Sequence, residues 1–111
     1  MAIVLKNNAV TTTVGDLSSI GTSLTVASGT GVLFPILGTG DYFYATLQSV
    51  TDNFEIIKVT ARTDDVMTIV RGQEGTLGIP FPANSRFELR VTVQNIKSAI
   101  VDSPDIDFLL L

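Results

Sequence analysis

Almost a third of this 111-residue chain is β-branched, with 14 Thr, 12 Val and 10 Ile. Such side chains lose rotamer freedom on a helix and pack well on a pleated surface, so the strand is the default conformation along most of the sequence. Alternation within individual segments agrees. From Phe43 to Gln48, the residues Phe43, Ala45 and Leu47 alternate with Tyr44, Thr46 and Gln48, a period of two that marks a half-buried strand. Glu55–Arg62 sets Ile57, Val59 and Ala61 on one face, and Val66–Arg71 follows after Thr63-Asp64-Asp65, whose Asp side chains suit a hairpin turn. Arg86–Val93 alternates most clearly, with Phe87, Leu89, Val91 and Val93 on the core face. Ser23–Ala27 reads as a further strand through Leu24 and Val26, and Ala9–Val14 as another whose three threonines leave its facing open.

The period changes at the C-terminal side. Val93, Ile96 and Ile100 stand three and four apart, which predicts a short helix over Gln94–Val101, ended by Ser103-Pro104. Two segments are rich in turn formers, Ser28–Asp41 with four Gly and Pro35, and Gly72–Asn84 with three Gly, Pro80 and Pro82. Connections of that length are more often functional than neutral. The resulting expectation is one all-β domain over 17–101, an antiparallel β-sandwich or barrel, flanked by extended arms at 1–16 and 102–111. The second arm interleaves Asp102, Asp105 and Asp107 with Pro104, Ile106 and Phe108 before Leu109-Leu110-Leu111. Full burial of a Leu side chain contributes about 1.5–3 kcal/mol, so this triplet is expected to dock on its own domain or on a neighbour.

Composition removes many functions. With no Cys and no His, disulfides, thiolate chemistry and the usual zinc, copper and haem ligands are missing, as is the commonest general base. The formal charge of -4 gives no overall attraction to a nucleic acid backbone. No apolar run approaches the roughly 20 residues a bilayer requires, and Met1–Lys6 lacks a positive n-region, so neither a membrane span nor a signal peptide is expected. Only 16% of residues are charged, against about 25% in an average soluble domain, which fits a protein that covers surface with partners.

The residues that could carry chemistry are few. Asp64-Asp65 lacks the spaced ligands and Gly of a calcium loop and reads as a hairpin turn; the three C-terminal Asp read as the wet edge of an arm, so no metal site is assigned. Arg71-Gly72-Gln73-Glu74-Gly75-Thr76 is not a phosphate loop, because no Lys-Ser/Thr pair follows. It reads as a structural turn in which Arg71 ends a strand, Gly72 and Gly75 give backbone freedom and Glu74 caps nearby N–H groups. Ser and Thr hydroxyls have no His to activate them, and Lys6, Lys58 and Lys97 could substitute only if buried, so no catalytic residue and no cofactor is expected. Tyr42 and Tyr44 are the weak candidates for ligand binding, as a sugar-stacking surface on a host glycan or as a protein contact. Phe34, Pro35, Phe81, Phe108, Leu109, Leu110 and Leu111 are the candidates for oligomer or partner contacts.

The succession of elements is itself informative. Leu24-Thr25-Val26-Ala27-Ser28 leads through Gly29-Thr30-Gly31 to Phe34-Pro35, then to an aromatic strand and Phe54-Glu55-Ile56-Ile57-Lys58-Val59-Thr60. Met67-Thr68-Ile69-Val70 continues into the Arg71–Thr76 block and on to Phe81-Pro82-Ala83-Asn84-Ser85-Arg86. From about Ser23 to Ile100 this order resembles a small β module of tailed bacteriophages, found in tail fibres, tail tips and other minor virion proteins. The Arg-Gly-Gln-Glu-Gly-Thr block after a Glu-Ile-Ile-Lys-Val strand is its most specific part. The resemblance implies a non-enzymatic structural subunit of a virion, made in the host cytoplasm, that forms trimers or rings and joins other phage structural proteins. Tail association as a fibre, hub or adaptor is the first expectation, and capsid decoration or host-glycan binding the alternatives.

Overall fold

The computed structural model describes residues 3–90. Six strands, β1 (Val10–Val14), β2 (Ser23–Val26), β3 (Phe43–Gln48), β4 (Phe54–Thr63), β5 (Val66–Gln73) and β6 (Arg86–Glu88), pair in the order β1-β2-β5-β4-β3-β6. All pairings are antiparallel and the sheet closes into a barrel, so of the two architectures expected the barrel is adopted. Among the described residues, closure leaves no strand without a neighbour on either side. Strands β3, β4 and β5 form a meander, and β6 returns beside β3, which is a Greek key. A single 3₁₀ turn at Gly31–Leu33 is the only helical element among the described residues.

Antiparallel closure sorts the connections between two ends. At one end lie three loops, 15–22, 49–53 and 74–85. At the other lie the 27–42 crossover, the tight Asp64-Asp65 turn and residues 3–9, and there β6 also leaves the barrel. We call these the three-loop end and the crossover end.

The period of two read from the sequence becomes an inside and an outside, except in β3, expected half-buried, where Tyr44 and Thr46 on the outer side are buried as well. Leu24 and Val26, Phe43, Ala45 and Leu47, Ile57 and Val59, Met67 and Ile69, and Phe87 all point inward and are buried. Loop residues plug the two openings. Phe34, from the crossover, stacks on Phe43 with ring centroids 5.9 Å apart and packs tilted against Phe87, 4.9 Å away. Phe81 and Leu17 seal the three-loop end, their backbones exchanging N–H···O bonds of 2.8 and 2.9 Å. Phe34, Pro35 and Phe81 are therefore buried and not available to a partner, a correction to the expectation that these loop residues form contacts. The reason is geometric: a six-stranded barrel has two open mouths, and its loops supply the apolar plugs.

Two further differences concern the N-terminal region. Residues 10–14, read from the sequence as a strand within the N-terminal arm, do form a strand, β1, but it pairs with both β2 and β6 and so belongs to the barrel. Its facing is also unusual, because Val10 and Val14 are exposed while Thr13 is buried. The Thr13 hydroxyl accepts the Ser85 N–H at 3.1 Å, so a polar group inside is matched by a loop donor. The predicted helix at 94–101, the arm at 102–111 with Phe108, Leu109, Leu110 and Leu111, and the part of the last strand beyond Arg90 lie outside the described residues.

Candidate functional site

The largest concentration of buried polar groups is at the three-loop end, around the Arg71–Thr76 block. Glu55 lies one position into β4, in phase with the inward residues Ile57 and Val59, and its carboxylate is fully buried. Arg71, its side chain 9% exposed, meets it through two parallel bonds: Nε to Oε2 and Nη2 to Oε1, both 2.7 Å. Two backbone donors complete the carboxylate, Gly72 N–H on Oε2 at 2.9 Å and Ile79 N–H on Oε1 at 3.0 Å. The guanidinium spends its remaining donors on carbonyls of Ser18, Gly21 (3.2 Å) and Ile79 (2.6 Å). One ion pair thus ties β4, β5 and two of the three loops together. Burial pushes the Glu55 carboxyl up, but the Arg71 guanidinium and the Ile79 and Gly72 amides outweigh it and hold the pKa below the usual carboxylate value.

The block that follows has the same purpose. Gly72 and Gly75 both take positive φ, 62° and 81°, so the chain can double back after β5. The Thr76 hydroxyl donates to Gln73 O at 2.7 Å and accepts the Ile56 N–H at 3.0 Å, filling a place where the β4–β5 register slips. Arg71 and Gly72 lie in the last part of β5, and Gly75 lies in the turn that follows it. Glu74 is exposed at φ 51°, and the carboxylate that accepts the Gly72 and Ile79 N–H groups is that of Glu55. The readable signal was a carboxylate in phase with Ile57 and Val59, since a charge on a core face demands a partner.

At the crossover end Asp65 has a comparable role on a smaller scale. Its Oδ1 and Oδ2 accept Gly31 N–H at 2.8 Å and Gly29 N–H at 3.0 Å, and these bonds hold its carboxyl below its ordinary value. Asp64-Asp65 is therefore a hairpin turn that pins the crossover. Gly31 is packed so closely that a Cβ there would lie 1.9 Å from Asp64 O. Arg62 donates to Pro35 O at 3.2 Å and Asp64 O at 2.8 Å, and Lys6 Nζ donates to Val32 O at 2.7 Å. Among the described residues no group of three or more Asp or Glu gathers as a metal site, and no helix is long and apolar enough to cross a membrane.

Tyr42 and Tyr44 do come together, with ring centroids 5.7 Å apart and planes at 82°. Lys58 Nζ sits 4.5 Å above the Tyr42 ring, a cation–π contact. Tyr44 is buried, and burial, followed by Tyr42 and Glu74, raises its phenol pKa. Tyr42 is half-buried.

The most exposed apolar side chains are aliphatic, with Phe54 54% exposed beside them. Five apolar side chains are more than 60% exposed among the described residues: Ile20 (84%), Val32 (64%), Ile36 (82%), Val50 (90%) and Leu77 (78%). All five lie in loops, with Ile20, Val50 and Leu77 at the three-loop end and Val32 and Ile36 at the crossover end. Ile20 and Leu77 line one open groove of about 620 Å³ together with Ile69, Val70, Arg71 and Gly72. Periodicity did not mark these five, because loops have no period. Comparison with models of known protein families and with curated proteins finds no match.

Proposed function

We propose that this chain is a non-enzymatic structural subunit of a bacteriophage particle, tail-associated as a fibre, hub or adaptor component, that works by fitting its loops to neighbours. The observation that carries this reading is the contrast between what the barrel hides and what it presents. Its buried charges, Glu55 and Arg71, are spent on holding loops, while aliphatic tips stand in solvent at both ends. Loops held rigid by buried bonds and tipped with Ile, Val and Leu suit docking, where apolar area is buried and little ordering cost is added. The Phe-Glu-Ile-Ile-Lys-Val and Arg-Gly-Gln-Glu-Gly-Thr segments, on which the resemblance to phage modules rests, meet in this framework as the Glu55–Arg71 pair.

The test is particle composition. Particles banded on a density gradient and blotted for this chain are expected to contain it at three to twelve copies. Hundreds of copies would instead assign it to capsid decoration, and its absence from the particles would end the structural reading.

A further inference from the structure

We infer that the outer face of β1, β2 and β5 is a contact face for a second copy of this chain, the two copies packing the same face against one another about a two-fold axis. The inference deepens the assembly role proposed above and rests on it for its biological setting.

The outward side of an antiparallel sheet is ordinarily polar, with charged side chains facing water. Here it carries no charge. Along one row Val14 pairs with Thr25, Thr25 with Val66, and Val66 with Thr63 of β4. Along the next, Ser23 pairs with Thr68, and Thr68 with Ala61 of β4. Each of these residues is exposed, Val14 by 57% and Val66 by 42%. The one charged residue in the three strands is Arg71, whose guanidinium is taken up by Glu55 and by backbone carbonyls. Val70, 44% exposed, carries the face into the groove that Ile20 and Leu77 line.

Charges begin at the border of this face. Arg86 and Glu88 of β6 are bonded to each other at 3.2 Å, Lys58 of β4 pairs with Val70 and lies over the Tyr42 ring, and Asp16 accepts the Ala83 N–H. Asp64 stands in the hairpin turn before Val66. A centre depleted of charge within a polar rim is the composition that marks a protein contact face.

The kinds of side chain select the partner. In a two-fold contact one patch meets itself, so near the axis each group faces its own kind. A carboxylate or an ammonium does so against like-charge repulsion. A Val packs on another Val, and a Ser or Thr hydroxyl both donates and accepts, so two copies of it can bond each other. Apart from Ala61, the two rows hold only Val, Ser and Thr. The formal charge of -4 opposes the approach of two copies, least where the facing surfaces carry no charge. Four strands about 4.8 Å apart and five residues of about 3.3 Å each give the face a footprint of roughly 300 Å². That is less than half of the ~800 Å² each partner contributes to a standard interface, so the contact is a weak, concentration-dependent one.

The experiment uses the full chain in sedimentation velocity. Taken up to about 1 mM, the wild type is expected as monomers in equilibrium with dimers, and the dimer is expected to hold or tighten as salt screens the net charge. Thr68, with Ser23 and Ala61 on either side and Val66 and Val70 along its strand, is the centre of the face. Thr68→Lys and Thr68→Glu are each expected to sediment as monomers, because like charges then meet near the axis, and their equimolar mixture to recover a dimer. Unchanged melting confirms that each variant folds, and Thr25→Lys with Thr25→Glu repeats the test on the neighbouring strand. A wild type that stays monomeric at about 1 mM, a dimer that weakens with added salt, single variants that dimerise as the wild type does, or a mixture that stays monomeric would each overturn the inference. Blotting of gradient-purified particles is independent of these outcomes, so a virion subunit that fails to self-associate is recognised as such.

Discussion

Arg71 and Glu55 form a doubly hydrogen-bonded ion pair, 2.7 Å on both arms, whose side chains are 9% and 0% exposed. Sixteen residues separate them, and between them the pair reaches loop 15–22, β4, β5 and loop 74–85.

Removing one partner leaves the other charged and buried, which costs about 3–5 kcal/mol. Glu55→Ala and Arg71→Ala are each expected to lower unfolding stability by that amount in urea titrations. Arg71→Lys is expected to recover little of the loss, because an ammonium cannot make the parallel bonds or reach all the carbonyls. Glu74→Ala, three residues further on, is expected to cost under about 1 kcal/mol, as surface substitutions do. A larger effect at Glu74 than at Glu55 would reverse the assignment of the cap.

Acid stability follows from the same pair. Because the Glu55 carboxyl titrates lower in the fold than in the unfolded chain, where its pKa is about 4.3, its contribution is complete above that value and is lost as pH falls through the folded one. Asp65, also lowered, acts with the same sign. Melting temperatures measured from pH 6 down to pH 2 should fall below about pH 4 in the wild type. Glu55→Gln should start lower at pH 6 and fall less steeply, with Asp65 responsible for the remaining slope. Parallel curves for the two proteins would remove Glu55 as a source of acid sensitivity.

The crossover is fixed by close packing of the Gly31 backbone on the Asp64-Asp65 turn. Gly31→Ala forces that turn to move, and overpacking of this kind costs roughly 1–3 kcal/mol. The loss should appear in thermal melting, and Gly29→Ala, where nothing lies within 4 Å of a new Cβ but φ is 80°, separates strain from crowding.

Phe34 tests the correction made for the loop aromatics. As a buried plug stacked on Phe43 and tilted against Phe87, its replacement by Ala should cost about 3–5 kcal/mol of stability. Ile36→Ala, two residues on and exposed, should leave melting unchanged and lower incorporation into particles. The opposite pattern would return Phe34 to the surface.

The sequence carried the barrel wall far better than its ends. Strand β3 is bounded at Phe43 and Gln48 as alternation predicts, though Tyr44 and Thr46 on its outer side are buried too, and β2, β4 and β5 differ from expectation by one or two residues, because in a closed sheet every second residue faces the interior. The Asp64-Asp65 turn was legible too, since the hairpin is local. Phe34 and Phe81 were misjudged because their burial depends on where two crossovers land, which only the Greek-key topology decides. Glu55 went unassigned because its partner lies across the sheet on the next strand, and alternation alone does not name a partner. Thr13 inside and Val14 outside reverse the usual pattern for the same reason, as the loop donor from Ser85 is remote in sequence.

The proposal that this barrel is a working part of a phage tail is tested most directly by reconstructing the particle that contains it, at a resolution sufficient to dock residues 3–90. The prediction is a set of barrel-sized densities on the tail, with Ile20, Val50 and Leu77 against a neighbouring subunit. A tail with no density that accepts the barrel, in particles from which the chain is also absent by blotting, would contradict it.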